Sequence, residues 1–203
     1  MSRVLVAGAG NIFLGDDGFG GEVATRLARE PLPDGVHVED FGIRGVHLAY
    51  TLLDGYDALI LVDATPRGGE PGTVYVIRAD LDAADRPAEV MDAHDLAPEA
   101  VLALLDRLGG HLDACYVVGC EPAGTEGIGL SVPVAAAVDT AVARVRALID
   151  DLSITPVVTG KGRGGHGEED RDRGGTDRGD RRGGAVAAGH QAVPGDPSDV
   201  RPA

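Results

Sequence analysis

Three runs of strand character constrain this 203-residue chain more than any other feature: residues 3–9, 57–63 and 114–119. Each is almost wholly apolar, so the strand it forms must be buried on both faces. That occurs in a parallel sheet covered by helices on each side. Between the runs, apolar residues recur at helical spacing. Phe19, Val23, Leu27 and Ala28 form one stripe, halted by Pro31 and Pro33. Val46 to Leu53 forms a second helix and about Leu96 to Leu108 a third, with Pro98 tolerated in its first turn. Val132 to Leu152 forms the last, with Ala135, Val138, Val142, Val145 and Ile149 on one face. Two shorter strands, Val36 to Asp40 and Thr73 to Ile77, complete the alternation. It predicts a three-layer α/β/α fold on a mostly parallel, doubly wound sheet of about five strands.

Composition narrows the function. Aromatic residues make up 3% of the chain and Trp is absent, so aliphatic side chains must fill the core. Residues 159–203 hold 12 of the 31 glycines and balance eight basic against eight acidic side chains. The first 158 residues carry 10 Arg against 25 acids, which is the whole net charge of −15. Such a body repels phosphate backbones and anionic lipid, so neither nucleic acid nor a membrane is expected as a partner. The chain therefore divides into an α/β domain over 1–158 and a glycine-rich, charged tail over 159–203, expected to be disordered. Cys115 and Cys120 share one predicted strand, where five steps separate them by roughly 16 Å, too far for a disulfide. With no signal-peptide pattern and no apolar stretch near 18 residues, the expectation is a soluble, reduced, cytoplasmic monomer.

In an open α/β sheet, ligands gather at the carboxyl ends of the strands. The first strand breaks into a glycine-rich turn that delivers Asp16 and Asp17 to that rim, and the third strand ends on Asp63. His94 precedes the third helix, with Asp95 as its candidate N-cap. An acid of the Asp16-Asp17 pair, Asp63 and His94 thus come from three loops onto one rim, a donor set suited to a borderline divalent cation such as Zn or Ni. Asp16 reads as the cap of the first helix. A nucleotide cradle is disfavoured: Gly8 and Gly10 would require a third glycine at position 13, which is Phe13, and two acids stand where a phosphate would bind.

The residues match a known pattern. Gly8-Ala9-Gly10-Asn11 followed by Gly15-Asp16-Asp17-Gly18-Phe19-Gly20 resembles the N-terminal signature of the [NiFe]-hydrogenase maturation endopeptidases. Leu61-Val62-Asp63-Ala64, His94-Asp95-Leu96, Val118-Gly119-Cys120-Glu121-Pro122 and Gly127-Ile128-Gly129-Leu130-Ser131 are similar to its later segments, in the same order, over about residues 3–152. The resemblance implies a peptidase of aspartic-type classification, without a conventional Asp dyad. It would cut a C-terminal extension from the nickel-loaded hydrogenase large-subunit precursor. It assigns the metal-binding positions to Asp17, Asp63 and His94, with nickel supplied by the substrate, and makes Asp40 and Glu121 candidates for substrate binding. Two departures stand out. Asp17 occupies a position where the family often has Glu, and Asp40-Phe41-Gly42-Ile43-Arg44-Gly45 replaces the usual Asp-Gly-Gly-Thr-x-Gly.

No Ser-His-Asp, Cys-His or His-Glu-x-x-His pattern is present, and no catalytic residue is assigned. The triad would either recognise nickel carried by the substrate or hold a metal that polarises the scissile carbonyl or activates water. A third reading, from another class, is a non-catalytic metal-binding chaperone of the large subunit.

Overall fold

The computed structural model describes residues 2–81 and 98–154. Five strands form one sheet: β1 (Val4–Ala9), β2 (Val36–Gly42), β3 (Ala58–Ala64), β4 (Val74–Arg78) and β5 (Ala114–Cys120), in the order β2-β1-β3-β5-β4. All pairs are parallel except β4 with β5, which is antiparallel. The four helices are α1 (Phe19–Leu27), α2 (Gly45–Leu52), α3 (Pro98–Arg107) and α4 (Val132–Ile154). The predicted three-layer, doubly wound fold is therefore present.

Alternation along the strands builds the two cores. Val4 and Val6 of β1 and Ile60 and Val62 of β3 face α1 and α4, meeting Phe19, Val23, Leu27, Val138, Val142 and Ile149. Leu5 and Ala7 with Leu59 and Leu61 face the other way, onto Leu48 and Leu52 of α2 and Val101 and Leu105 of α3. Two side chains named in the helical stripes fall outside them: Ala28 and Ala135 are exposed, and Ala24 and Val134 are buried instead. The error is one of phase, because alanine tolerates either environment and anchors a stripe weakly.

The chain leaves β1 through α1 towards β2, then crosses back through α2 to β3 on the far side of β1. β1 and β3 thus flank a topological switch point, where the outgoing loops diverge and open a crevice at the carboxyl ends of the strands. Two glycines keep the crevice tight. A Cβ on Gly20 would lie 2.1 Å from the Val62 carbonyl oxygen and 2.3 Å from that of Ala9. One on Gly8 would lie 2.5 Å from the Gly20 carbonyl oxygen, so α1 begins in backbone contact with both strands. The expected tail and the helix cap at Asp95 lie outside the described residues.

Candidate functional site

After β1 the chain turns at Gly10, whose φ of 110° only glycine adopts readily. A Cβ there would collide with the Asp17 carbonyl oxygen, 1.8 Å away. A short 3-10 turn, Gly15–Gly18, runs straight into α1 and packs against β3. On it, Asp17 is half-buried and one of its oxygens accepts the Asn11 N–H at 2.6 Å. Its other oxygen takes no hydrogen bond from the described residues. Across the switch point, Asp63 is the penultimate residue of β3, half-buried, with one oxygen on the Ala64 N–H at 2.8 Å. The strand thus continues one residue past the acid instead of ending on it. The two predicted metal-facing carboxylates therefore stand at the carboxyl ends of neighbouring strands, Asp17 in the turn after β1 and Asp63 on β3. His94, the third of the set, lies outside the described residues, within which no group of three metal-ligating side chains occurs.

Asp16 corrects the sequence reading. Neither the 3-10 turn nor α1 has a side-chain cap. Asp16 is instead fully buried and reaches across the molecule to the loop that follows β5. Its carboxylate accepts the N–H groups of Ser131 at 2.6 Å, Ala123 at 2.8 Å and Gly124 at 3.2 Å, and the Ser131 hydroxyl at 2.9 Å. Burial opposes its charge, but these four donors outweigh burial and hold its pKa below the ordinary value. Backbone bonds reinforce the seam: Gly15 N–H donates to Gly127 O at 2.8 Å and Asp16 N–H to Gly124 O at 3.1 Å.

Glu121, at the end of β5, is likewise buried. It accepts the N–H groups of Arg67 at 2.8 Å and Gly68 at 3.0 Å and the Tyr75 hydroxyl at 2.8 Å. Burial raises its pKa, but the loop N–H groups and Tyr75 hydroxyl more than compensate and lower it. Its carboxylate thus anchors the loop that follows β3. Asp40, by contrast, is exposed at the end of β2. It accepts the Gly42 N–H at 2.9 Å and lines a cleft of about 490 Å³ with Ile12, Gly21, Glu22, Arg26 and Leu130.

The comparisons with known proteins agree with this fold. Residues 22–147 match the family model for hydrogenase maturation proteases of the HycI type. The chain belongs to the hydrogenase maturation protease family. The matched stretch begins after Asp17 and includes Asp40, Asp63, His94 and Glu121. The chain is 37% identical over 146 residues to a putative hydrogenase maturation protease of Methanocaldococcus jannaschii, covering 68% of this chain and 91% of that one. It is 34% identical over 151 residues to the hydrogenase expression/formation protein HupD of Rhizobium leguminosarum bv. viciae, covering 71% and 74%. Its fold matches the hydrogenase maturating endopeptidase HybD from E. coli with a TM-score of 0.61 and 28% identity, over 74% of this chain and 93% of that one.

As a hydrogenase maturation protease the chain is a peptidase. Cys115 and Cys120 are buried and free. Burial pushes their thiols up to about 12 and about 11, so neither supplies thiolate at neutral pH. Among the described residues no helix is long and apolar enough to cross a membrane.

Proposed function

We propose that this protease removes a C-terminal extension from the nickel-loaded large-subunit precursor of a [NiFe]-hydrogenase, in the cytoplasm. Nickel enters as part of the substrate. Asp17, Asp63 and His94 recognise it, and Asp40 borders the cleft that receives the peptide. The observation that carries the reading is the placement of Asp17 and Asp63 at the carboxyl ends of the neighbouring strands β1 and β3 in a chain of this family. Each carboxylate is oriented by a backbone N–H on one oxygen, which presets its direction and lowers the entropy lost on binding a cation. Fixing the metal then fixes the chain around it, which turns bond cleavage into a reaction between already positioned groups. Metal capture therefore sets the register of the cut.

Nickel-loaded and nickel-free precursor, incubated with the purified protease and resolved by electrophoresis, test this. Cleavage of the loaded form alone is expected. Equal cleavage of the metal-free form without added metal contradicts the proposal. Cleavage of the metal-free form on adding zinc supports a metal held for catalysis instead, and a stable complex with no cleavage supports the chaperone reading.

A further inference from the structure

The chain has three phenylalanines. Phe19 and Phe41 are wholly buried, but Phe13 is 67% exposed. It stands between Ile12 and Leu14, 55% and 46% exposed, on the turn that carries Asp17. Ile128, 82% exposed, tips the loop after β5. The Gly15 N–H to Gly127 O bond joins the residues beside Leu14 and Ile128 and so sets the two segments side by side. The seam is rigid: Asp16 grips both ends of the 123–131 loop, while the Phe13 N–H is held by the Asn11 side chain at 3.0 Å and the Leu14 N–H by the Asn11 carbonyl at 2.9 Å. Asn11 also donates to Asp17, so the apolar turn and the metal-facing carboxylate share one framework.

We propose that Ile12, Phe13, Leu14 and Ile128 form a preformed docking surface for the metal-bearing partner. The partner would present an apolar patch with basic neighbours beside its metal site. The proposal rests on the function proposed above. Clustered apolar side chains on a rigid scaffold are a signature of recognition, and an exposed aromatic makes a strong anchor. The occupant follows from charge and composition. Residues 159–203 offer only Val186, Val193 and Val200 as larger aliphatic side chains, a poor chemical match for a patch centred on an aromatic ring. A second copy would bring its own −15 against this one. Exposed Glu126 on the same loop and Asp40 in the adjoining cleft, where Arg26 is already paired with Glu22 and Asp139, favour a partner carrying positive charge.

Steady-state cleavage of nickel-loaded precursor by the full-length Phe13→Ser/Ile128→Ser variant tests this, with Tyr50→Ser, an exposed aromatic on α2, as the control. The double variant is expected to raise KM at least tenfold with kcat and melting temperature little changed, and the control to match the wild type. A KM that climbs with added salt supports the basic rim, and one that falls with salt overturns it. An unchanged KM in a double variant that cleaves normally overturns the surface while leaving the proposed function standing. A wild type that neither binds nor cleaves the precursor fails the underlying function instead. If the wild type self-associates and the double variant does not, a second copy is the occupant and the proposal is overturned.

Discussion

Two regions of the rim, one residue apart in the chain, handle negative charge in opposite ways. At the seam between the 3-10 turn and the loop after β5, Asp16 is buried under four donors and faces no solvent. At the crevice between β1 and β3, Asp17 and Asp63 are half-buried and each is steadied by a backbone N–H. A carboxylate buried under several donors is a fastener; one that stays half-buried at the carboxyl edge of the sheet can face a ligand. The same side chain builds the site in one region and serves it in the other.

The sharpest way to separate the regions is to neutralise each. Loss of an outer hydrogen-bond partner already costs a metal site about 10–100-fold, so Asp63→Asn, which removes a proposed ligand, is expected to slow cleavage of nickel-loaded precursor at least ~100-fold. Its melting temperature should stay near that of the wild type; a large drop would place Asp63 with the fasteners. Asp16→Ala should do the reverse. It strands three backbone N–H groups in a buried seam, each worth ~1–3 kcal/mol. A loss of about 3 kcal/mol or more, read as a fall in melting temperature of roughly 6–12 °C, is expected. Gly20→Ala forces a Cβ against the backbone of Val62 and Ala9 and should cost about 1–3 kcal/mol while disturbing the turn that carries Asp17, three residues earlier. Calorimetry with a parallel cleavage assay checks both effects.

Acid should also act on the fasteners. Asp16 and Glu121 have folded pKa values below their ordinary 3.8 and 4.5. Their contribution is complete above those ordinary values and is lost as pH falls through the folded ones. Urea stability is expected to be level from pH 7 to about 5 and to decline below about 4.5, with a shallower decline in Asp16→Asn. The smallest effect concerns the thiols: Cys115 and Cys120 should resist iodoacetamide in the native protein and react only after unfolding, as mass shifts on alkylation would show.

What the sequence revealed and what it hid follow the range of the interactions. Strand and helix order were legible because burial on both faces leaves continuous apolar runs, and Asp63 was legible because it punctuates one of them. Asp17 was legible through its glycine frame. The role of Asp16 was not, since its partners lie 107 to 115 residues away and Ala123, Gly124 and Ser131 carry no pattern that advertises a carboxylate between them. Glu121 read as a substrate-binding candidate, and its anchoring role was hidden for the same reason: two of its donors are backbone N–H groups of Arg67 and Gly68, which no sequence pattern marks. Ala28 and Ala135 misled because alanine is at home on either side of a helix.

The central claim is that Asp17 serves the substrate and not the fold. Asn at this position keeps an oxygen for the Asn11 N–H while removing the charge, so the framework survives. The decisive measurement is the intact mass of nickel-loaded precursor after incubation with the wild-type protease or with Asp17→Asn of matched melting temperature. Loss of the C-terminal extension is predicted with the wild type and an unaltered mass with the variant. Cleavage by Asp17→Asn at the wild-type rate would contradict the account.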